Sequence, residues 1–274
     1  MKRNVLQQTA TAFALGAFVL TAQGCMNDSS TAPEDDTPDT TNAPTLPDAD
    51  RLSFDFDFFD EPQNNGRCSN DSFFNAYIRT VVVAAVSELV LAPPVGAFAL
   101  ALHTPPSPQN DGSYLWIYTW TDGVEEAQIR LRGLPIENGA EWELRVSSTE
   151  DQIENELWFA GETRDDGDQG YFVFSDFHAV GKPDVARLEW GTENDAEFLR
   201  FTDLHENVDD TLEFRNTGDT ASFRWTDASH PAESWYVNWN EADGSGQMQA
   251  PDFNGGEPAC WDDDKCDTDC EIAS

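Results

Sequence analysis

Positive charge is scarce in this chain. Fifteen Lys and Arg stand against 52 Asp and Glu, for a net charge of −37. That balance argues against nucleic acid and anionic lipid headgroups as partners, because both would be repelled. Lysine is scarcest of all: beyond residue 24 only Lys182 and Lys265 occur. Catalytic signatures are missing as well. His103, His178, His205 and His230 stand apart without HxH or HExxH spacing, no serine has a GxSxG setting, and neither a glycine-rich phosphate loop nor a twin CxxC pair occurs. Carboxylates are so abundant that a chance pair of neighbours is no argument for a glycosidase. No enzyme and no cofactor is expected. No uncharged apolar run reaches the ~20 residues that span a bilayer as a helix, and no motif repeats with a solenoid or propeller period.

The chain does have a leader. Lys2 and Arg3 open it, Thr9 to Leu20 is apolar and uncharged, and the small residues Ala22 and Gly24 precede Cys25. "AQGC" resembles the lipobox of bacterial lipoproteins, in which a cysteine after small residues becomes the lipidated first residue of the mature chain. Ala22 stands where that family usually has Leu, and cleavage after Gly24 without lipid is the alternative. Residues 25–50, nearly all Pro, Thr, Ser, Asp and small residues after Cys25, offer little to bury. They are expected to form a disordered acidic tether, which makes physical sense when its start is fixed. The resemblance implies lipid on Cys25 as the link to the membrane, with several acyl chains holding where one would bind only marginally. Met26, rather than Asp, after the cysteine implies the outer membrane. Many acids with few lysines also resembles proteins of saline habitats; a calcium-rich surface is the competing explanation.

Residues 51–258 are expected to form one β-rich globular domain, followed by a Cys/Asp-rich tail, 259–274. "RLSFDFDFFD" (51–60) alternates Phe with Asp, as a first strand or extended lead-in would. The most apolar stretch, 70–102, predicts a helix near 71–91, capped by Asn70 or Asp71 and ended by Pro93-Pro94, with a shorter helical piece from Val95. Being apolar nearly all round, it needs protein on most sides; a buried strand over Thr80–Val86 is the rival. From Tyr114 onward, short segments alternate apolar with polar between Gly, Asp and Asn turns. They predict strands near 114–121, 126–132, 140–147, 157–162, 170–176, 184–190, 196–202, 211–215, 220–226, 233–240 and 246–250. The fold class is therefore mainly β: a single antiparallel meander of about ten or eleven strands, curling into a barrel or half-barrel around the N-terminal apolar helix. "EAQIRLR" and "AEWELRV" each have one wet face, whereas "YLWIYTW" and "QGYFVF" are apolar on both and should be covered twice.

Cys68, Cys260, Cys266 and Cys270 make an even set in an exported chain. They predict two disulfides, one tying Cys68 to the C-terminal trio and one closing a short loop. "CWDDDKCDTDC" gathers Asp262, Asp263, Asp264, Asp267 and Asp269. Alternating Asp can ligate calcium, making Asp262, Asp264, Asp267 and Asp269 weak candidates, but the EF-hand Gly and closing Glu are absent. Trp116 with Trp120, and Trp235 with Trp239, lie four apart, so each pair shares a strand face at roughly 13 Å. That spacing suits stacked sugar rings and suits core filling too.

The expectation is a non-enzymatic cell-envelope lipoprotein that binds an apolar ligand or a protein partner. In outline it resembles the half-barrel lipoprotein carriers and receptors of the outer membrane, without any shared motif. The alternative is a surface carbohydrate-binding module that uses the four tryptophans as its ligand face.

Overall fold

The computed structural model describes residues 42–52, 57–59, 68–122, 125–149 and 152–270. The leader, Cys25 and most of the tether lie outside the described residues. After 3-10 turns at Ala49–Leu52 and Asp57–Phe59 comes one long helix, α1, Asp71–Ala101. Every later element is a strand or a short turn. The strands are β1 (Ser107–Pro108), β2 (Tyr114–Asp122), β3 (Glu125–Ile136), β4 (Gly139–Ser148), β5 (Ile153–Arg164), β6 (Gln169–Ser175), β7 (Asp184–Glu193), β8 (Ala196–Asp203), β9 (Thr211–Asn216), β10 (Thr220–Thr226), β11 (Trp235–Asn240), β12 (Gly246–Gln249), β13 (Ala259–Trp261) and β14 (Asp267–Thr268).

All fourteen pair in sequence order as a single antiparallel meander, with β1 and β14 at its two edges. The sheet does not close into a barrel. The strands expected from alternation are all present as β2 to β12. The extra three are two or three residues long, too short to display a period. Tight turns join the long strands; at Asn194-Asp195 both residues have positive φ (52° and 63°), the geometry that suits the twist of a two-residue hairpin.

One face of the sheet is buried throughout. A continuous apolar row crosses it through Trp190, Leu199, Phe214, Phe223, Val237, Met248 and Ala259, each paired with the next. α1 packs on this face near both its ends. Phe73 meets Trp261 edge-on at 5.7 Å, while Phe98 meets Trp142 at 5.2 Å and stacks on Phe172 at 5.5 Å. Tyr118 adds a hydrogen bond from its hydroxyl to the Ala97 carbonyl at 3.1 Å.

Several expectations are corrected. Residues 42–48, expected in the tether, belong with the folded part: Ala43 and Leu46 pack against the core and Pro47 is buried. Gly133 makes room for this segment, since a Cβ there would lie 2.7 Å from the Trp142 ring and 2.9 Å from Pro44. Residues 259–270 are no tail but the last two strands, with Trp261 among the most buried side chains. Residues 51–52 and 57–59 form turns instead of a strand. α1 continues through Pro93-Pro94, because Ala97, Phe98 and Ala101 are buried against the sheet and hold the last turns in place. The double cover expected for "YLWIYTW" and "QGYFVF" is absent. Ile117 is exposed, and Leu115 and Val173 lie half-buried opposite Arg132 and Arg187; arginine stems can shield such apolar surface while their heads stay wet. Nor is α1 covered all round: Phe74, Ile78 and Val81, one stripe at i, i+4 and i+7, are exposed.

Cys68 pairs with Cys266 and Cys260 with Cys270, at Cα separations of 5.7 and 5.2 Å. One link is long-range and one local, as expected. Their sequence separations are 198 and 10. Chain-entropy arguments assign about 5 kcal/mol to the longer loop and about 3 to the shorter. Cys68→Ser with Cys266→Ser should therefore lower the urea midpoint more than Cys260→Ser with Cys270→Ser, measured side by side without reductant.

Candidate functional site

The alternation that builds the sheet sorts the candidate residues. Trp116 and Trp239 point to the buried face, each 2 % exposed. Trp116 lies 5.8 Å from Trp142. Trp239 stacks on Phe58 at 5.4 Å, touches Phe59 and Phe223, and donates its indole N–H to Glu241 at 2.5 Å. Trp235, four positions earlier on the strand, is half-buried and packed on the same core. The Trp120 side chain lies outside the described ones. Rings engaged in this way fill the interior and are not presented for stacking on a sugar. Near both ends of α1 the interior is ring against ring, so the volume an acyl chain would need there is occupied by Phe and Trp.

The C-terminal aspartates serve the backbone. Asp262 accepts from the N–H groups of Asp264 (3.0 Å) and Cys266 (2.9 Å), closing its own turn. Asp267 reaches from β14 to the start of α1, accepting from Asp71 N–H at 3.1 Å, Ser72 N–H at 2.8 Å and the Ser69 hydroxyl at 2.5 Å. It is the cap of that helix, a role the sequence assigned to Asn70 or Asp71, and Asn70 makes no side-chain cap bond. Among the described residues no three His, Cys, Asp or Glu side chains are gathered for a metal. Of the calcium candidates Asp262, Asp264, Asp267 and Asp269, the first and third spend carboxylate oxygens on these bonds. Lys265 lies between them with its ammonium 3.9 Å from the Phe58 ring centroid and bonded to the Gly244 carbonyl; burial lowers its pKa, against the pull of Asp243 and Glu241. The four histidines are exposed and separate, in line with their reading as loop residues.

The opposite face of the sheet is open, and it collects the chain's positive charge. Arg130 and Arg132 on β3, Arg145 on β4, Arg164 on β5, Arg187 on β7, Arg200 on β8, Arg215 on β9 and Arg224 on β10 all fall in outward register. Most are matched by carboxylates. Arg187 pairs with Glu189 at 3.1 Å and lies over the Tyr171 ring at 4.0 Å. Glu213 accepts from Arg200 and Arg215, each at 2.6 Å, and Arg215 continues to Glu193 at 2.5 Å. Burial would raise the Glu213 pKa, but the two guanidinium hydrogen bonds outweigh it and hold it low. Arg130 and Arg224 have no ion pair among the described residues; Arg130 is half-buried, whereas Arg224 is exposed and lies over the Tyr236 ring at 5.6 Å. The carboxylate opposite it is Glu213, both of whose oxygens are already taken. Sequence alternation marked Arg130 and Arg132 as outward; the assembly of the others needed the register.

Compared with known protein families, characterised proteins and solved structures, the chain matches none.

Two outcomes follow from these contacts. Trp239→Ala should destabilise the domain by about 3–5 kcal/mol, as loss of a packed core ring does, read as a fall in melting temperature. Asp267→Ala should cost about 1–2 kcal/mol at pH 7, typical of a lost helix cap. Burial raises the Asp267 pKa, but the bonds from Ser69, Ser72 and Asp71 outweigh it and the net shift is downward. The charged cap therefore contributes fully above the ordinary aspartate value and is lost as pH falls through the lower folded one. Urea titrations at stepped pH should show the wild type and variant converging only in acid, below about pH 4.

Proposed function

We propose that this chain is a non-enzymatic lipoprotein of the cell envelope, anchored in the outer membrane through lipid on Cys25. Its β domain binds an extracytoplasmic partner on the open face of its sheet. The observation that carries the reading is the cysteine arithmetic. Four of five cysteines are consumed by Cys68–Cys266 and Cys260–Cys270, bonds that persist in an oxidising compartment. The remaining one, Cys25, is the residue that follows a leader and the small residues of "AQGC". A thiol at that place, before a polar segment, has an evident use as an acylation site.

On this reading the sheet bends around α1 as a half-barrel. α1 touches β4 and β6 through Phe98 and β13 through Phe73, strands far apart in the sheet order. The rings in these contacts support a solid support rather than a carrier of acyl chains, and leave the outer face for recognition.

The test is metabolic labelling with radioactive palmitate in the native host. Label should enter the wild-type chain, and Cys25→Ser should abolish labelling and release the protein from the membrane fraction. Unlabelled wild type, or a serine variant that stays membrane-bound, would overturn the anchoring.

A further inference from the structure

We propose that the outward face of β8 to β12 is a binding site for a carboxylate-bearing polysaccharide, with Arg224 as the group that takes the acid. The inference rests on the open-face reading above and names its ligand class.

Arg224 is the member of the arginine set whose fork is both exposed and free of a carboxylate among the described residues. A planar guanidinium matches a carboxylate with two parallel hydrogen bonds, which makes it selective for that group over a hydroxyl. Tyr236 holds it from below, a cation–π contact that limits the side chain's freedom before any ligand arrives. The adjacent row runs Ser222, Asn238, Gln247 across β10, β11 and β12. These half-buried amides and hydroxyl present donors and acceptors suited to sugar hydroxyls. Adjacent strands lie about 4.8 Å apart, a step comparable with one sugar unit, so a chain laid across the strands would meet one side chain after another.

The same patch is a poor match for a protein. Protein interfaces have an apolar centre inside a polar rim, and among the described residues no exposed large apolar side chain lies on β8 to β12; those on regular elements are Phe74, Ile78 and Val81 on α1 and Ile117 on β2. Charge supplies the remaining argument. In a chain of net charge −37, this outward region carries Arg200 and Arg215 matched by Glu213 and the adjoining Glu193, which leaves Arg224 as its unmatched charge. Repulsion from acids elsewhere is screened beyond about 10 Å at 0.1 M salt, so the local arginine governs what docks.

The full-length processed chain in detergent micelles should be passed over immobilised polygalacturonate and over a neutral glucan of equal length. Retention is expected on the polyuronate alone. Arg224→Ala should weaken it about tenfold or more, the usual effect of losing a charged hydrogen bond. Arg224→Lys should weaken it too, because the charge remains but the fork is gone. Arg130→Ala, at the far end of the same face, should leave binding unchanged, and all variants should keep the wild-type melting temperature. Absence of polyuronate retention, or retention indifferent to both Arg224 variants, overturns the inference. Retention of the neutral glucan that is sensitive to Tyr236→Ala would overturn the acidic ligand while leaving the open binding face standing. Retention of neither polymer, with no partner captured through this face, would remove both.

Discussion

Burial of one face, and one face only, is the constraint on which the rest of this molecule depends. In a strand the side chains alternate with a period of two, so a sheet that hides one surface sends every second residue in and every second residue out. Along β7, Ala186, Leu188 and Trp190 go in while Arg187 and Glu189 go out. A one-residue slip in such a strand would exchange the two sets and turn guanidinium groups onto the apolar face. The register is therefore fixed by the cost of desolvating arginine as much as by the gain from burying tryptophan. The same alternation decides what the protein can recognise: aromatic rings are spent on cohesion and arginines are left for contact.

A long meander has a second problem, which is that its last strands are far apart in sequence from the helix they pack against. α1 is made early in the chain and β14 last. The junction between them combines three interactions of different kind. The Cys68–Cys266 bond joins the segment before the helix to the loop before β14, the Asp267 carboxylate takes the first free N–H groups of the helix, and Phe73 seats against Trp261. The Asp267 backbone N–H also donates to the Ser69 carbonyl at 2.8 Å. A covalent link limits the separation of the two segments, whereas the carboxylate and the ring fix their orientation. The aspartate-rich C-terminus thus has a structural use through Asp262 and Asp267, where the sequence offered an acidic tail with weak calcium candidates.

What the sequence disclosed was the part governed by local periodicity. Every strand from β2 to β12 could be placed from alternating residues and turn chemistry, and the pairing of Cys68 with the C-terminal trio followed from even numbers. The failures are all non-local. β13 and β14 are too short to show a period and exist because β12 offers an edge to pair with. The Asp267 cap lies 196 residues from the N–H it serves, and nothing near Asp71 announces it. Pro93-Pro94 predicted a break on local grounds, yet burial of Phe98 beyond it keeps the helix whole. The tryptophan pairs illustrate the same limit: spacing four apart established that each pair shares a face, but which face is buried is a property of the sheet and of α1 together.

The arginine face follows from this division once net charge is considered. A domain with so many carboxylates gains little by placing cations where acids already crowd, unless those cations neutralise specific neighbours. Most of the outward arginines do so: Arg200 and Arg215 share Glu213, and Arg187 answers Glu189. Such exposed pairs contribute at most about 1 kcal/mol each, so their stability value does not explain why the set is all arginine and never lysine on these strands. Arginine also rests its head over rings, as Arg187 does over Tyr171, and its stem can shelter an apolar neighbour such as Leu115 opposite Arg132. Arg224 lies over Tyr236 but pairs with nothing among the described residues, and an exposed guanidinium left unpaired in so acidic a chain is the place where an external carboxylate finds the least competition.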